Sequence, residues 1–283
     1  MPTTITNVPL HTTTLGNPSL PRIVFLHGFL GSGSDWLPVT RELQNDYCCM
    51  MVDLPGHGSA NLLQTQPPDD FFIQTVDALA ALLRQSAAPP CSLVGYSMGG
   101  RIALALLLRH PELFSKAIII SASPGLKTEK ERIDRQEHDE KVARKIERNF
   151  EGFIEAWYEQ PLFATLKSHP IFKEVESERK INDPQNLALA LRLLGTGRQP
   201  SLWEKLKTNC VPVSFFAGEK DERYVEIGQQ MVKLLPLSDL EIFLHCGHTL
   251  HLENRDLFLY RLRFFFNQQE KKTNEHSELD TSR

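Results

Sequence analysis

The 283-residue chain has no apolar stretch approaching the roughly 18 residues that a membrane-spanning helix requires. Its first residues, Met1 to Thr6, carry neither the charged segment nor the apolar run of a secretion signal. Its five cysteines form no CxxC pair, and Cys48-Cys49 sit inside a strand-like run, Tyr47 to Val52. Such thiols read as reduced, buried and inert, and a cytoplasmic location is expected. A net charge of -4, with basic and acidic residues intermixed and no basic-aromatic strip, argues against a nucleic-acid surface. No internal repeat is visible.

What the chain does have is enough apolar material, 41%, with 23% charged residues, for one large α/β domain with an insertion. Strand-like and helix-like segments alternate: a strand over 22–26, a helix near 35–45, a strand over 47–53, a helix near 69–86, a strand over 91–96, a helix after Ser97 and a strand over 117–121. Alternation of this kind predicts a mostly parallel sheet with helices on both faces.

The most informative segment is Gly95-Tyr96-Ser97-Met98-Gly99, a G-x-S-x-G pattern placed after a strand and before the helix-like run Arg101 to Arg109. Small residues on both sides let the backbone turn sharply, so a serine there stands clear at a strand end beside a helix N-terminus. This is the context of a nucleophile elbow. A serine hydroxyl needs an imidazole to take its proton and a carboxylate to orient that imidazole. Both follow in the order that an α/β-hydrolase supplies them. The strand-like run Val211 to Ala217 leads to Asp221, the candidate acid, with Glu219 as rival. Leu240 to Leu244 leads to His248, the candidate base, with His245 and His251 as rivals; Gly247 favours His248 by allowing a tight loop.

Upstream, Arg22 to Leu26 reads as a buried strand running into His27-Gly28-Phe29. Gly28 permits close approach, so the backbone NH groups of Phe29 and Met98 are the candidate oxyanion hole. Asp53-Leu-Pro-Gly-His57-Gly-Ser59 reads first as a glycine-rich turn, with Asp53 and His57 as minor catalytic candidates. Between 125 and 205 strand signals vanish in favour of charged helical and aromatic-rich patterns, an insertion expected to form a helical lid. The core is then 1–124 with 206–266, closed by a helix over Asp256 to Phe266, and the polar tail 267–283 is expected to be disordered.

Four segments together resemble one family: Leu26 to Ser32 with Asp35-Trp36, Gly95 to Arg101, Trp157 to Phe163, and Gly195 to Trp203. The chain is similar over about 22–266 to 2-succinyl-6-hydroxy-2,4-cyclohexadiene-1-carboxylate synthase of the menaquinone and phylloquinone pathway, an α/β-hydrolase-fold lyase. The resemblance implies elimination of pyruvate from an enolpyruvyl-substituted cyclohexene, with Ser97 as base, His248 and Asp221 activating it, and no cofactor or metal. The substrate implied is a small polycarboxylate, so the pocket should hold arginines, whose planar forks match carboxylates. Arg101 lies one helical turn after Ser97, while Arg135 and Arg179 match the family pattern in the lid, with Arg132 as alternative to Arg135. Tyr96 and Trp157 would give apolar walls or a hydroxyl donor. Two other readings stand beside the lyase: a serine hydrolase cleaving an ester or a carbon-carbon bond, and a ligand sensor on the same fold.

Overall fold

In the computed structural model, which describes residues 8–65, 67–68, 70–86 and 90–268, seven strands form one sheet in the order β1-β3-β2-β4-β5-β6-β7. β2 (Arg22–Leu26), β3 (Cys48–Asp53), β4 (Cys91–Tyr96), β5 (Phe114–Ile120), β6 (Val213–Gly218) and β7 (Ser238–Phe243) are all parallel. β1 (His11–Leu15) runs antiparallel on the β3 edge. It had no counterpart in the sequence reading. As an edge strand it packs only one face, so HTTTL carries no apolar run to announce it.

The inner strands are apolar almost throughout because they are covered on both sides. In β2, Val24 and Leu26 face α2 (Phe71–Ser86), α3 (Met98–Arg109) and Met231 of α9 (Glu222–Val232), whereas Ile23 and Phe25 face α1 (Leu37–Leu43), α10 (Leu250–Glu253) and α11 (Arg255–Asn267). Between β5 and β6 the chain is helical: α4 (Glu129–Arg148), α5 (Phe150–Tyr158), α6 (Ala164–Lys167), α7 (Phe172–Arg179) and α8 (Pro184–Leu194), with no strand among the described residues. A capping box closes the start of α4, where Thr128 accepts from the Glu131 NH and Glu131 from the Thr128 NH. Arg192 of α8 clamps α4 by bonding Glu140 at 2.7 Å and Glu147 at 2.5 Å. These helices enclose their own apolar core around Ile146, Ile154, Leu166 and Leu187, and Leu30 from the loop after β2 plugs into it.

Several expectations shift at their ends. Of the tail expected to be disordered, Asn267 closes α11 and accepts from the Tyr47 hydroxyl at 2.7 Å; residues 269–283 lie outside the described set. Cys48, Cys49, Cys91 and Cys246 are buried free thiols, and burial raises Cys49 to about 12 and Cys91 and Cys246 to about 11, so those three are poor nucleophiles. Cys210 corrects the reading of the cysteines as buried, because it is exposed in the loop before β6. Among the described residues no helix is long and apolar enough to cross a membrane.

Buried polar groups tie the loops at the sheet's carboxyl end. Asp53 accepts from the Gly33 NH at 2.7 Å and the Ser59 NH at 2.9 Å, a structural role that leaves no free carboxylate for catalysis. His27 Nε2 accepts from the Leu54 NH at 3.0 Å, so its proton sits on Nδ1, which donates to the Gly28 carbonyl at 2.8 Å. His57 donates from Nδ1 to the Pro55 carbonyl at 3.1 Å. Burial outweighs every other influence on both rings, lowering His27 to about 4 and His57 to about 3. A histidine depressed from 6.5 takes its proton first in the unfolded chain. Its contribution is intact above pH 6.5 and is lost as pH falls toward 4. Urea unfolding should therefore show stability dropping by about 1.4 kcal/mol per pH unit for each ring in that window. His57→Gln should reduce this slope, and an unchanged slope would reject a neutral buried His57.

Candidate active site

The elbow is built by backbone strain and glycine packing. Ser97 adopts φ 50 and ψ -108, a conformation that costs a non-glycine residue on the order of 1–3 kcal/mol. The turn is held by the Ser97 NH bonding Ile120 at 2.9 Å and the Gly99 NH bonding His27 at 3.0 Å. A Cβ at Gly99 would strike the carbonyls of Leu26 and His27, and one at Gly95 would lie 2.7 Å from Ala103 Cβ, so β4, α3 and β2 meet only through glycine. Gly28 stands so close that a Cβ there would lie 2.6 Å from the Tyr96 ring and 3.5 Å from Ser97 Cβ.

Three side chains from distant parts of the sequence converge at this turn. His248 Nε2 lies 3.1 Å from Ser97 Oγ, and His248 Nδ1 lies 2.7 Å from Asp221 Oδ2. Asp221 and His248 are 4% and 2% exposed, whereas Ser97 is half-buried. Because Asp221 can only accept, Nδ1 carries the proton and Nε2 is left to accept from the serine. None of the rivals bonds Ser97. Glu219 accepts from the His245 NH at 3.0 Å on an exposed loop, with the His245 ring in solvent. His251 is buried against Trp36 and Tyr96, with ring centroids at 4.9 and 4.4 Å. Glu253, which the sequence reading did not single out, fastens the loop carrying His248 by accepting from the Gly247 NH at 2.7 Å and the Thr249 hydroxyl at 2.6 Å.

Neither Phe29 nor Met98 donates its NH to a described protein acceptor. Met98 is the first residue of α3, where a helix leaves its amides without internal partners. Both residues line a cavity of about 430 Å³ over Ser97 and His248. The helical segment supplies its roof: Trp157 lies edge-on to Phe29 at 5.6 Å, and Phe163 lies 6.0 Å from His248. Tyr224, from the first turn of α9, closes another side with its ring 5.0 Å from His248. Tyr96 lies under the site against His248 at 5.4 Å, and burial raises its hydroxyl well above the usual phenol range.

Four arginines line the cavity, at 101, 135, 179 and 223; Arg132 is not among the lining residues. They differ in what neutralises them. Arg179 makes a two-pronged pair with Asp35 at 2.8 and 2.7 Å, and although burial opposes its charge, Asp35 and Tyr158 raise its pKa. Arg135 donates to Asp139 at 2.7 Å. Arg101, 8% exposed, donates only to neutral oxygens, Gln199 Oε1 at 3.2 Å and the Leu194 carbonyl at 2.9 Å. Burial lowers Arg101 to about 10, so at neutral pH it remains a buried cation with no carboxylate against it among the described residues. Its support comes from the Gly195–Trp203 stretch, pinned by Trp203 Nε1 donating to the Gly125 carbonyl at 2.9 Å. Among the described residues no cluster of histidine, cysteine or carboxylate groups is placed to hold a metal.

The family model that matches residues 23–259 is that of the alpha/beta hydrolase family. A Bacillus subtilis (strain 168) protein provisionally named 2-succinyl-6-hydroxy-2,4-cyclohexadiene-1-carboxylate synthase is 37% identical over 239 residues, 83% of this chain and 86% of that protein. The structure of MenH from S. aureus superposes with a TM-score of 0.85 at 31% identity, covering 91% of this chain and 97% of that one. The chloroplastic protein PHYLLO of Arabidopsis thaliana is 34% identical over 89% of this chain, which spans only 16% of PHYLLO.

The Asp35-Arg179 pair gives a sharp stability test. Asp35→Asn leaves a buried guanidinium without its counter-charge and should cost about 3–5 kcal/mol in urea unfolding. Adding Arg179→Met should restore part of the loss. A single-variant loss below about 1 kcal/mol would mean that the pair holds little.

Proposed function

We infer the reaction from one premise: the chain belongs to the alpha/beta hydrolase family and, within it, to the 2-succinyl-6-hydroxy-2,4-cyclohexadiene-1-carboxylate synthases. It is a carbon-oxygen lyase that eliminates pyruvate from 2-succinyl-5-enolpyruvyl-6-hydroxy-3-cyclohexene-1-carboxylate. The observation that carries this reading onto the residues is Arg101. A buried cation with no carboxylate against it among the described residues, one helical turn from Ser97, calls for an anionic ligand.

His248 takes the Ser97 proton, and Ser97 Oγ removes the ring proton next to the succinyl carbonyl. Negative charge then collects on that carbonyl oxygen, where the free amides of Phe29 and Met98 stabilise it. As the charge returns, the ring carbon-oxygen bond breaks and the enolpyruvyl group leaves as the enolate of pyruvate. Protonated His248 gives its proton to the enolate's methylene carbon, and Ser97 keeps the ring proton, so both groups return to their starting states. No acyl-enzyme forms. Asp221 orients His248 and stabilises its charged form.

The helical segment over 125–205 acts as a lid, and its Trp157 supplies the apolar wall against the ring. Arg135 and Arg179 add to the positive field around the substrate's carboxylates, but each already shares its charge with an aspartate. The unpaired thiols fit a reducing, cytoplasmic compartment.

Purified protein given the enolpyruvyl substrate should release one pyruvate per turnover, and Ser97→Ala should lower kcat by roughly 10³-fold or more. Arg101→Ala should raise KM by about 10-fold or more, because a hydrogen bond to a charged group is lost, and by a larger factor than Arg135→Ala. Absence of pyruvate release together with rapid turnover of simple esters would overturn the lyase in favour of a hydrolase. Equal effects at 101 and 135 would overturn the charge argument.

A further inference from the structure

Arg223 was not among the residues singled out by sequence, yet it lines the cavity from the first turn of α9, two positions after Asp221. It is exposed, and it makes no ion pair or hydrogen bond with any described residue. Of the four cavity arginines, then, only Arg101 and Arg223 have no carboxylate against them. They enter from different elements, Arg101 from α3 on the serine side and Arg223 from α9 on the histidine side, next to the Tyr224 ring that packs on His248.

We propose that Arg223 is a specificity-determining residue that holds the carboxylate of the enolpyruvyl arm and of the pyruvate formed from it. This rests on the lyase reading above. The breaking carbon-oxygen bond leaves its electrons on the enolate oxygen, and the enolate's methylene carbon must then receive the proton carried by His248. The leaving arm therefore lies on the histidine side of the cavity, and its own carboxylate needs a cation there. An exposed arginine suits this arm better than a buried one. Its attraction is screened by water, so it can steer the arm in and still let pyruvate go, whereas the parts retained in the product can be gripped by buried Arg101.

The test compares the full-length wild-type protein with Arg223→Gln and Arg223→Lys, with pyruvate as product inhibitor and succinate as a second anion. For Arg223→Gln, KM and the inhibition constant of pyruvate should each rise about 3- to 10-fold, and the salt dependence of kcat/KM should weaken. Arg223→Lys, which keeps the charge, should recover most of the loss, and inhibition by succinate should not move. Pyruvate inhibition within twofold of wild type in Arg223→Gln would overturn the assignment. So would an equal shift for succinate, which would mark a general field rather than a seat for this arm. Should wild-type protein release no pyruvate, the lyase reading falls on its own. Pyruvate titration followed by tryptophan fluorescence, with Trp157 and Trp203 lining the cavity, then reads Arg223 separately. Weaker pyruvate binding in Arg223→Gln supports the contact, and equal binding removes it.

Discussion

The bend at Ser97 is a strained conformation that the rest of the molecule is arranged to hold. A serine at φ 50 and ψ -108 would relax if its neighbours allowed it. They do not, because β4 is pinned between β2 and β5, and α3 is pressed onto the end of β2 through Gly99 and onto β4 through Gly95. The same close packing brings the Gly28 loop against Ser97 and leaves the Phe29 and Met98 amides unspent beside it. One packing arrangement therefore does two things: it exposes the hydroxyl and leaves two amide donors beside it. In a serine hydrolase the same parts would stabilise a tetrahedral oxyanion. In the proposed lyase, the charge around the pocket rather than the Ser97-His248-Asp221 set separates elimination from acyl transfer.

That charge is graded. Two of the four cavity arginines carry an aspartate each, so they contribute hydrogen-bonding direction with little net charge. Arg101 is the reverse case, a guanidinium held by an amide and a carbonyl that satisfy its NH groups without cancelling its charge. Desolvating a cation is expensive, and the cost is recovered only when an anion arrives. In the proposed function, stability held in reserve in this way makes binding selective for carboxylates, because a neutral ligand of equal shape leaves the cost in place.

Legibility in the sequence followed the range of the interaction. The parallel strands could be read because each is a short apolar run next to a helix-like one, and Ser97 because strand, glycine and helix signals lie within a dozen residues. Asp221 and His248 were reachable since each follows a strand end in the order serine, acid, base. β1 was not, being a threonine-rich edge strand with one packed face. Nor was the pairing of Arg179 with Asp35: both had been noted, one in the insertion and one in the loop after β2, but nothing local joins residues 144 positions apart. The same holds for Gln199 on Arg101 and for Tyr224 on His248, contacts made by tertiary packing between elements that periodicity can place but not orient.

The helical segment is coupled to the chemistry more closely than a roof needs to be. Phe163 lies edge-on to His248, and a Cβ at Gly247 would collide with Thr165 of α6, so the loop carrying the base is packed under the segment that covers the pocket. Leu30, next to Phe29, is buried in the apolar core of that same segment. Arg179 crosses from α7 to Asp35 on the loop after β2, which also begins the helical turn ending at Trp36. Three separate contacts thus join the segment to the loop of His248, to Leu30 beside Phe29 and, through Arg179, to Asp35. The segment, the loop that carries His248 and the loop that carries Phe29 are therefore packed as one body, so a change that loosens the segment reaches the side chains around Ser97.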